Sequence, residues 1–279
     1  MLYRTLMFTP GNRPDRLFKS LQSTADALIW DVEDAVHPDE KAAARTVIRD
    51  VLDSMDKAPP KPIFIRVNQV GTPWFEDDAR LAGHPLVRGM LLPKTESAAQ
   101  VEQAWKLMDR KGELIVLIET AVGVRDLEGI LESPLITGVA LGAVDLAVDL
   151  NLTLTDSGLE LLYFKSRIVT LARAAGIQGI YDSVFPDFNN SDSLRIRAGL
   201  TKTTGFTGQM CVHPVQIPVI TEVYTPAAQE IDWAKRVIHA LENEAKGLGV
   251  FTVDGKMVDR PVIERAKQVH QAALRWNLA

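Results

Sequence analysis

The chain has 279 residues, 46% hydrophobic and 24% charged, with a formal net charge of −5. These are the values of a soluble globular protein, and the acidic balance excludes broad attraction to nucleic acid or an anionic membrane, so neither is expected as a partner. A single cysteine, Cys211, excludes an intrachain disulfide; with no signal-like start and no run near the ~20 apolar residues of a membrane span, a cytoplasmic protein is expected.

Short β-type runs recur along the chain at residues 5–9, 27–31, 62–67, 89–92, 113–119, 138–141, 179–184 and 208–212. Most are apolar without clean alternation, the pattern of parallel strands covered on both faces. Between them, residues 39–53, 96–108, 158–174 and 228–241 carry apolar positions at helical spacing. Pro10-Gly11-Asn12, Pro59-Pro60, Gly71-Thr72-Pro73 and Pro186-Asp187 punctuate these elements. Eight β/α units in about 250 residues predict a (β/α)₈ TIM barrel over residues 1–247. The rival, a doubly wound sheet for a dinucleotide, requires a G-x-G-x-x-G turn after an early strand, and none is present. Residues 248–258, with an Asp254-Gly255 turn, read as a β-hairpin, and residues 260–276 as a last helix. This segment, 248–279, exceeds what a barrel needs and is expected to serve as a lid or an oligomer contact.

In such a barrel the catalytic groups stand at the C-terminal ends of the strands. Here those ends carry Asp31, Glu33 and Asp34, then Arg66 and Asn68, Lys94 to Glu96, Glu119 and Thr120, Asp145, Asp182 and Ser183, and His213. Any one of them fits a salt bridge or a helix cap; their coincidence at one face points to a site. Glu119 and Asp145 on neighbouring strands suit a hard cation, Mg²⁺, which takes one or two carboxylates and completes its shell with water and substrate oxygens. Zn²⁺ is disfavoured, because His37, His84, His213, His239 and His270 are scattered without paired spacing. Cys211 and His213 fit either a nucleophile pair or, more commonly, a buried structural thiol. Arg66 closes an apolar strand, IFIRVN. Its planar fork matches a carboxylate or a developing enolate oxygen, and an ion pair with Glu33 or Asp34 is the structural alternative.

Over almost its whole length the sequence resembles citrate lyase β subunits and their stand-alone relatives, the citryl-CoA, citramalyl-CoA and malyl-CoA lyases of the HpcH/HpaI aldolase/citrate lyase superfamily. The motifs are Arg4-Thr-Leu-Met-Phe-Thr-Pro-Gly-Asn12, Trp30-Asp-Val-Glu-Asp-Ala-Val36, Arg66-Val-Asn68, Leu92-Pro-Lys-Thr-Glu-Ser97, Ile118-Glu-Thr120, Gly142-Ala-Val-Asp-Leu146, Gly205-Phe-Thr-Gly-Gln-Met-Cys-Val-His-Pro214 and Asp254-Gly-Lys-Met-Val-Asp259. The resemblance implies Mg²⁺ as cofactor, with Glu119 and Asp145 as its ligands and Glu33 and Asp34 holding its waters. It implies Arg66 on the substrate carboxylate and the thioester enolate oxygen, and Asp259 working on the acetyl carbon, in some members from a neighbouring subunit. Arg16 and Lys94 are implied contacts to the thioester carrier. Gln209 stands where many relatives carry Lys, which puts a carrier contact at that strand in question.

The expected activity is therefore cleavage of a small 3-hydroxyacyl thioester to acetyl-CoA and a 2-oxo acid by retro-Claisen chemistry. The alternatives are a metal-dependent aldolase on free 2-keto acids, an acyl-CoA thioesterase on the same site, and a non-catalytic scaffold, against which Arg66, Glu119 and Asp145 speak. A homotrimer is expected. An acyl carrier protein complex is less favoured than free CoA, since no second domain is fused to the chain.

Overall fold

The computed structural model describes residues 2–109, 111–243 and 249–278. Eight parallel strands follow one another in order: β1 (Thr5–Pro10), β2 (Ala27–Asp31), β3 (Ile63–Arg66), β4 (Gly89–Leu92), β5 (Glu113–Ile118), β6 (Gly138–Leu141), β7 (Gly179–Asp182) and β8 (Gly208–Cys211). Each pairs with the next, and β8 pairs with β1, so the barrel is closed. Helices surround it, as the sequence predicts for a (β/α)₈ fold.

Side chains along each strand alternate between two apolar environments, which is why no polar alternation shows in the sequence. On β2, Ala27 and Ile29 fill the barrel while Leu28 and Trp30 pack under the helices. Tyr3, Phe64, Ile115, Leu117, Tyr181 and Met210 complete the inner packing. At the N-terminal end Tyr3 donates to Glu113 at 3.3 Å, and the Arg88 fork holds the same carboxylate with Nε at 2.8 Å. The floor is thus closed by a satisfied polar cluster.

The same period of two decides which strand ends reach the mouth. Asp31 follows Ala27 and Ile29 inward, Arg66 follows Phe64, and Glu119 follows Ile115 and Leu117. Asp182 follows the inward Tyr181 and so faces out. There its carboxylate accepts from Lys165 Nζ at 2.9 Å and Thr201 Oγ1 at 2.8 Å, all three buried between β7 and the helices. Asn68 is also caged outside, donating to Asp78 at 2.6 Å and to the Val32 carbonyl at 2.9 Å. Cys211 lies in the outer core, where burial pushes its thiol up to about 12. His213 accepts from the Val215 amide and caps the turn Pro214–Gln216. A nucleophile pair is excluded, because a thiol so placed does not ionise near neutrality.

The chain divides into two compact units, Met1–Tyr224 and Thr225–Ala279. The division comes earlier than the expected residue 247, which itself lies outside the described residues. The reason is packing: Ala234 and Val237 of the helix Ala228–Asn243 share a core with Val258, Ile263 and Ala266. The hairpin forms as expected, with Phe251–Val253 antiparallel to Lys256–Val258 and positive φ at both Asp254 and Gly255. Asp259 caps the helix Arg260–Arg275, accepting from the Val262 amide at 3.3 Å. Among the described residues no helix is long and apolar enough to cross a membrane.

Lys165→Met keeps the volume but leaves Asp182 as a buried uncompensated charge. A loss of about 3–5 kcal/mol in urea unfolding is expected; a loss under about 1 kcal/mol would mean the pair carries no such burden.

Candidate active site

Asp31 and Arg66 are direct neighbours in the register of β2 and β3. The guanidinium meets Asp31 along one edge, with Nε at 2.8 Å and Nη2 at 2.6 Å. Its Nη1 lies 2.8 Å from Glu33 and 3.5 Å from Asp34, and its plane covers Phe8 at 4.9 Å. Burial pulls the Arg66 pKa down, but Asp31, Glu33 and Asp34 outweigh it and hold it above the ordinary value. Asp31 also accepts from the amides of Glu33 and Ala35, at 2.9 and 3.2 Å. It therefore shapes the turn that presents Glu33 and Asp34. The expected ion pairs of Arg66 with these two are present. The bidentate partner, Asp31, is expected at the strand end but not as the partner of Arg66, because a strand apolar on both faces does not show in sequence which residues point inward.

Lys94 follows β4 with φ of 45°, a left-handed backbone that is unusual for a residue with a side chain. This conformation turns both its nitrogens into the mouth. The amide donates to Glu119 Oε1 at 2.9 Å. The ammonium lies 2.7 Å from Glu33, 3.5 Å from Asp145 and 3.9 Å from Glu119. Burial opposes its charge, yet Glu33 and Glu119 keep its pKa above the ordinary value. Burial likewise raises the Glu33 carboxyl, against the pull of Arg66 and Lys94.

Glu119 is 2% exposed. Burial first, then the negative Glu33 and Asp145, push its carboxyl up to about 8 against Lys94 and Arg66. Gly142 stands against it, and a Cβ there would collide with the Glu119 carboxylate. This glycine is needed for space, since its φ is −99°. Asp145, more exposed, sits in the first turn of Ala143–Asp149, whose start is tied to β7 by the Ala143 amide donating to Ser183 Oγ at 3.0 Å.

Asp31, Asp34, Arg66, Glu119 and Asp145 line a cavity of about 380 Å³. Its base is apolar, from Phe8, Leu117, Val184 and Met210; Arg16 is at the rim and also borders a groove of about 440 Å³ with Arg13, Lys19 and His213. Gln209 lies outside both, buried, with its amide on the Ser183 carbonyl at 3.2 Å. Among the described residues no group of three or more His, Cys, Asp or Glu is placed to hold a metal ion. Two carboxylates are enough for a hard divalent cation that keeps waters and substrate oxygens. The raised Glu119 carboxyl fits such an ion, because its burial leaves negative charge that the nearby ammonium offsets only in part.

The chain belongs to the HpcH/HpaI aldolase/citrate lyase family, whose model matches residues 4–214. It is 35% identical to the citrate lyase subunit beta of Leuconostoc mesenteroides subsp. cremoris, over 98% of this chain and 93% of that one. It is 34% identical to a (3S)-malyl-CoA thioesterase of Cereibacter sphaeroides, over 95% and 93%. Among solved structures it resembles protein CitE of Mycobacterium tuberculosis in complex with magnesium, acetoacetate and coenzyme A. There the TM-score is 0.81 and the identity 31%, over 97% of each chain.

Gly142→Ala is compatible with the backbone but not with Glu119 in place. A divalent-cation affinity weakened at least about tenfold is expected by calorimetry, with the thermal midpoint of the cation-free protein lowered by several degrees but its unfolding still cooperative, since overpacking costs about 1–3 kcal/mol. Unchanged affinity would show that Glu119 is not held by that contact.

Proposed function

We propose that this chain is a Mg²⁺-dependent carbon–carbon lyase that cleaves a small 3-hydroxyacyl-CoA to acetyl-CoA and a 2-oxo acid. The observation that carries the reading is the meeting of Glu119, Asp145 and the Arg66 fork on one cavity. The neighbour crystallised with magnesium, acetoacetate and coenzyme A supports it.

Glu119 and Asp145 would hold the ion, and Glu33 and Asp34 would accept from its waters. Magnesium, when bound, supplies positive charge that makes the substrate hydroxyl easier to deprotonate. Arg66 meets the charge that develops on the thioester oxygen as the bond to the acetyl unit breaks. It is already oriented by Asp31, so no reorganisation is needed at that moment. The apolar base excludes water from the enolate. Arg16, with Arg13 and Lys19 beside it, offers donors to the phosphates of the carrier. Lys94, implied as a carrier contact, has its ammonium among the carboxylates here, so its role in this reading is to hold Glu33 and Glu119. Asp259 is the proposed acid for the enolate carbon, and a homotrimer with residues 248–279 as its lid completes the reading.

A panel of citryl-, citramalyl- and malyl-CoA with Mg²⁺ tests this directly. Acetyl-CoA and a 2-oxo acid are expected, abolished by chelation and by Glu119→Ala or Asp145→Ala. Free CoA with an intact hydroxy acid would instead establish a thioesterase, the activity named for one relative.

Glu119 also sets a pH dependence. Its carboxyl, ordinarily at 4.5, is raised to about 8 in the folded, cation-free protein. The folded state thus keeps a proton that the unfolded state loses across this window, and stability falls as pH rises through it. Cation binding needs the carboxylate, so Mg²⁺ affinity should rise by up to about tenfold per pH unit toward pH 8 and flatten above. Calorimetry in two buffers of different ionisation enthalpy reads both the affinity and the released proton; a flat profile with no proton release would contradict the assignment.

Asp259→Asn separates capping from chemistry. Asn caps helices about as well as Asp, so stability and Mg²⁺ affinity should hold. Turnover should fall by roughly 10²–10⁴-fold, the range of a lost general acid, and exchange of acetyl-CoA methyl protons with deuterated water should cease. Undiminished exchange would assign the proton transfer to another residue.

A further inference from the structure

We infer that Ser183 is a ligand-binding residue of this cavity: its hydroxyl proton donates to the carboxylate of the 2-oxo acid unit, on the wall opposite Arg66. The inference rests on the lyase reading of the site and adds to it a contact for the acid half of the substrate. Two independent features carry it.

The first is the state of the hydroxyl. The alternation that turns Tyr181 inward and Asp182 outward on β7 brings Ser183 back to the cavity, which it lines. It is 7% exposed. A serine hydroxyl offers two lone pairs and one proton. One lone pair accepts from the Ala143 amide at 3.0 Å, and the residue's own carbonyl accepts from Gln209 Nε2 at 3.2 Å. These bonds fix the oxygen and the backbone of Ser183, and neither uses its proton. Among the described residues no acceptor takes that proton. As a tie between β7 and the helix Ala143–Asp149, Ser183 would need only its lone pair. A buried donor without a partner is costly, so the proton is the part of Ser183 that the scaffold does not account for.

The second is the distribution of donors. With the carboxylates ionised on a cation, the side-chain donors among the described residues lining the cavity are Arg16, Arg66 and Ser183. Arg66 closes β3, four strands from β7 in a barrel of eight and so on the opposite wall, where it is committed to Asp31 and Glu33. Arg16 is exposed at the rim. The wall between β5 and β7 otherwise presents the carboxylates of Glu119 and Asp145 and the apolar Leu117, Val144 and Val184. A carboxylate that lends one oxygen to a cation leaves its other oxygen to be satisfied, and a buried anionic oxygen needs a donor. Ser183, at the end of the strand paired with β6, supplies one without adding charge beside Asp145.

Calorimetric titration of the full-length Mg²⁺-loaded protein with pyruvate as the 2-oxo acid tests this on wild type, Ser183→Ala and Ser183→Cys, with the Mg²⁺ affinity of each measured first. Cysteine keeps the bulk and a weak acceptor for the Ala143 amide but donates poorly, so Ser183→Cys carries the test if Ser183→Ala fails to fold. Pyruvate affinity is expected to fall about tenfold or more in either variant, the scale of a hydrogen bond to a charged group, with Mg²⁺ affinity little changed. An unchanged pyruvate affinity overturns the inference. So does a loss matched by an equal loss of Mg²⁺ affinity, which would make Ser183 only a tie for the helix that carries Asp145. A wild type that binds no pyruvate overturns it as well, and the thioester panel on the same preparation then decides separately whether the lyase reading stands.

Discussion

Arg66 commits its guanidinium to acids from the adjoining strand, and much of the mouth is arranged around that commitment. A buried guanidinium without partners would be prohibitively costly. Asp31 meets it in the two-pronged geometry that only arginine offers. The same Asp31 carboxylate gathers the amides of Glu33 and Ala35, so the turn after β2 is bound to the strand beside it. Glu33 then links Arg66 to Lys94, and Lys94 links both to Glu119. The network runs from β2 to β5 without a gap; Asp31, Glu33 and Asp34 hold Arg66 charged, while burial and the neighbouring carboxylates raise Glu119.

Such an arrangement is expensive in desolvation and gives little net stability. Its use lies in preorganisation. Donors and carboxylates held in fixed positions need not reorganise when charge moves in a bound substrate. The raised Glu119 carboxyl is the part left incompletely balanced. The site thereby favours a bound cation while the rest of the barrel remains an ordinary packed core.

Some of the polar clusters are scaffolding. Lys165 and Thr201 hold one oxygen of the Asp182 carboxylate outside the sheet, and Arg88 with Glu113 closes the opposite end of the barrel. Their residue types match those of the mouth. Only the parity of each residue on its strand, and the end of the strand it occupies, separates the two groups.

The sequence by itself determined the class of fold. Eight apolar runs with helices between them, no phosphate-binding glycine turn and a length near 250 residues leave few other solutions. It also determined which residues could matter, because carboxylates and an arginine at the ends of apolar strands are rarely there for packing. The helix Ser191–Thr204 was not legible, since its Ser, Thr and Gly content and its exposed Ile196 and Leu200 blur the amphipathic pattern. Nor was the allegiance of Ala228–Asn243, whose apolar face is equally suited to a barrel or to the last helix. What only the tertiary structure decided was direction and partnership. Asp31 joined Arg66 and Asp182 turned away because side chains alternate across a strand, and in a sheet buried on both faces the sequence leaves no polar side to reveal the phase of that alternation.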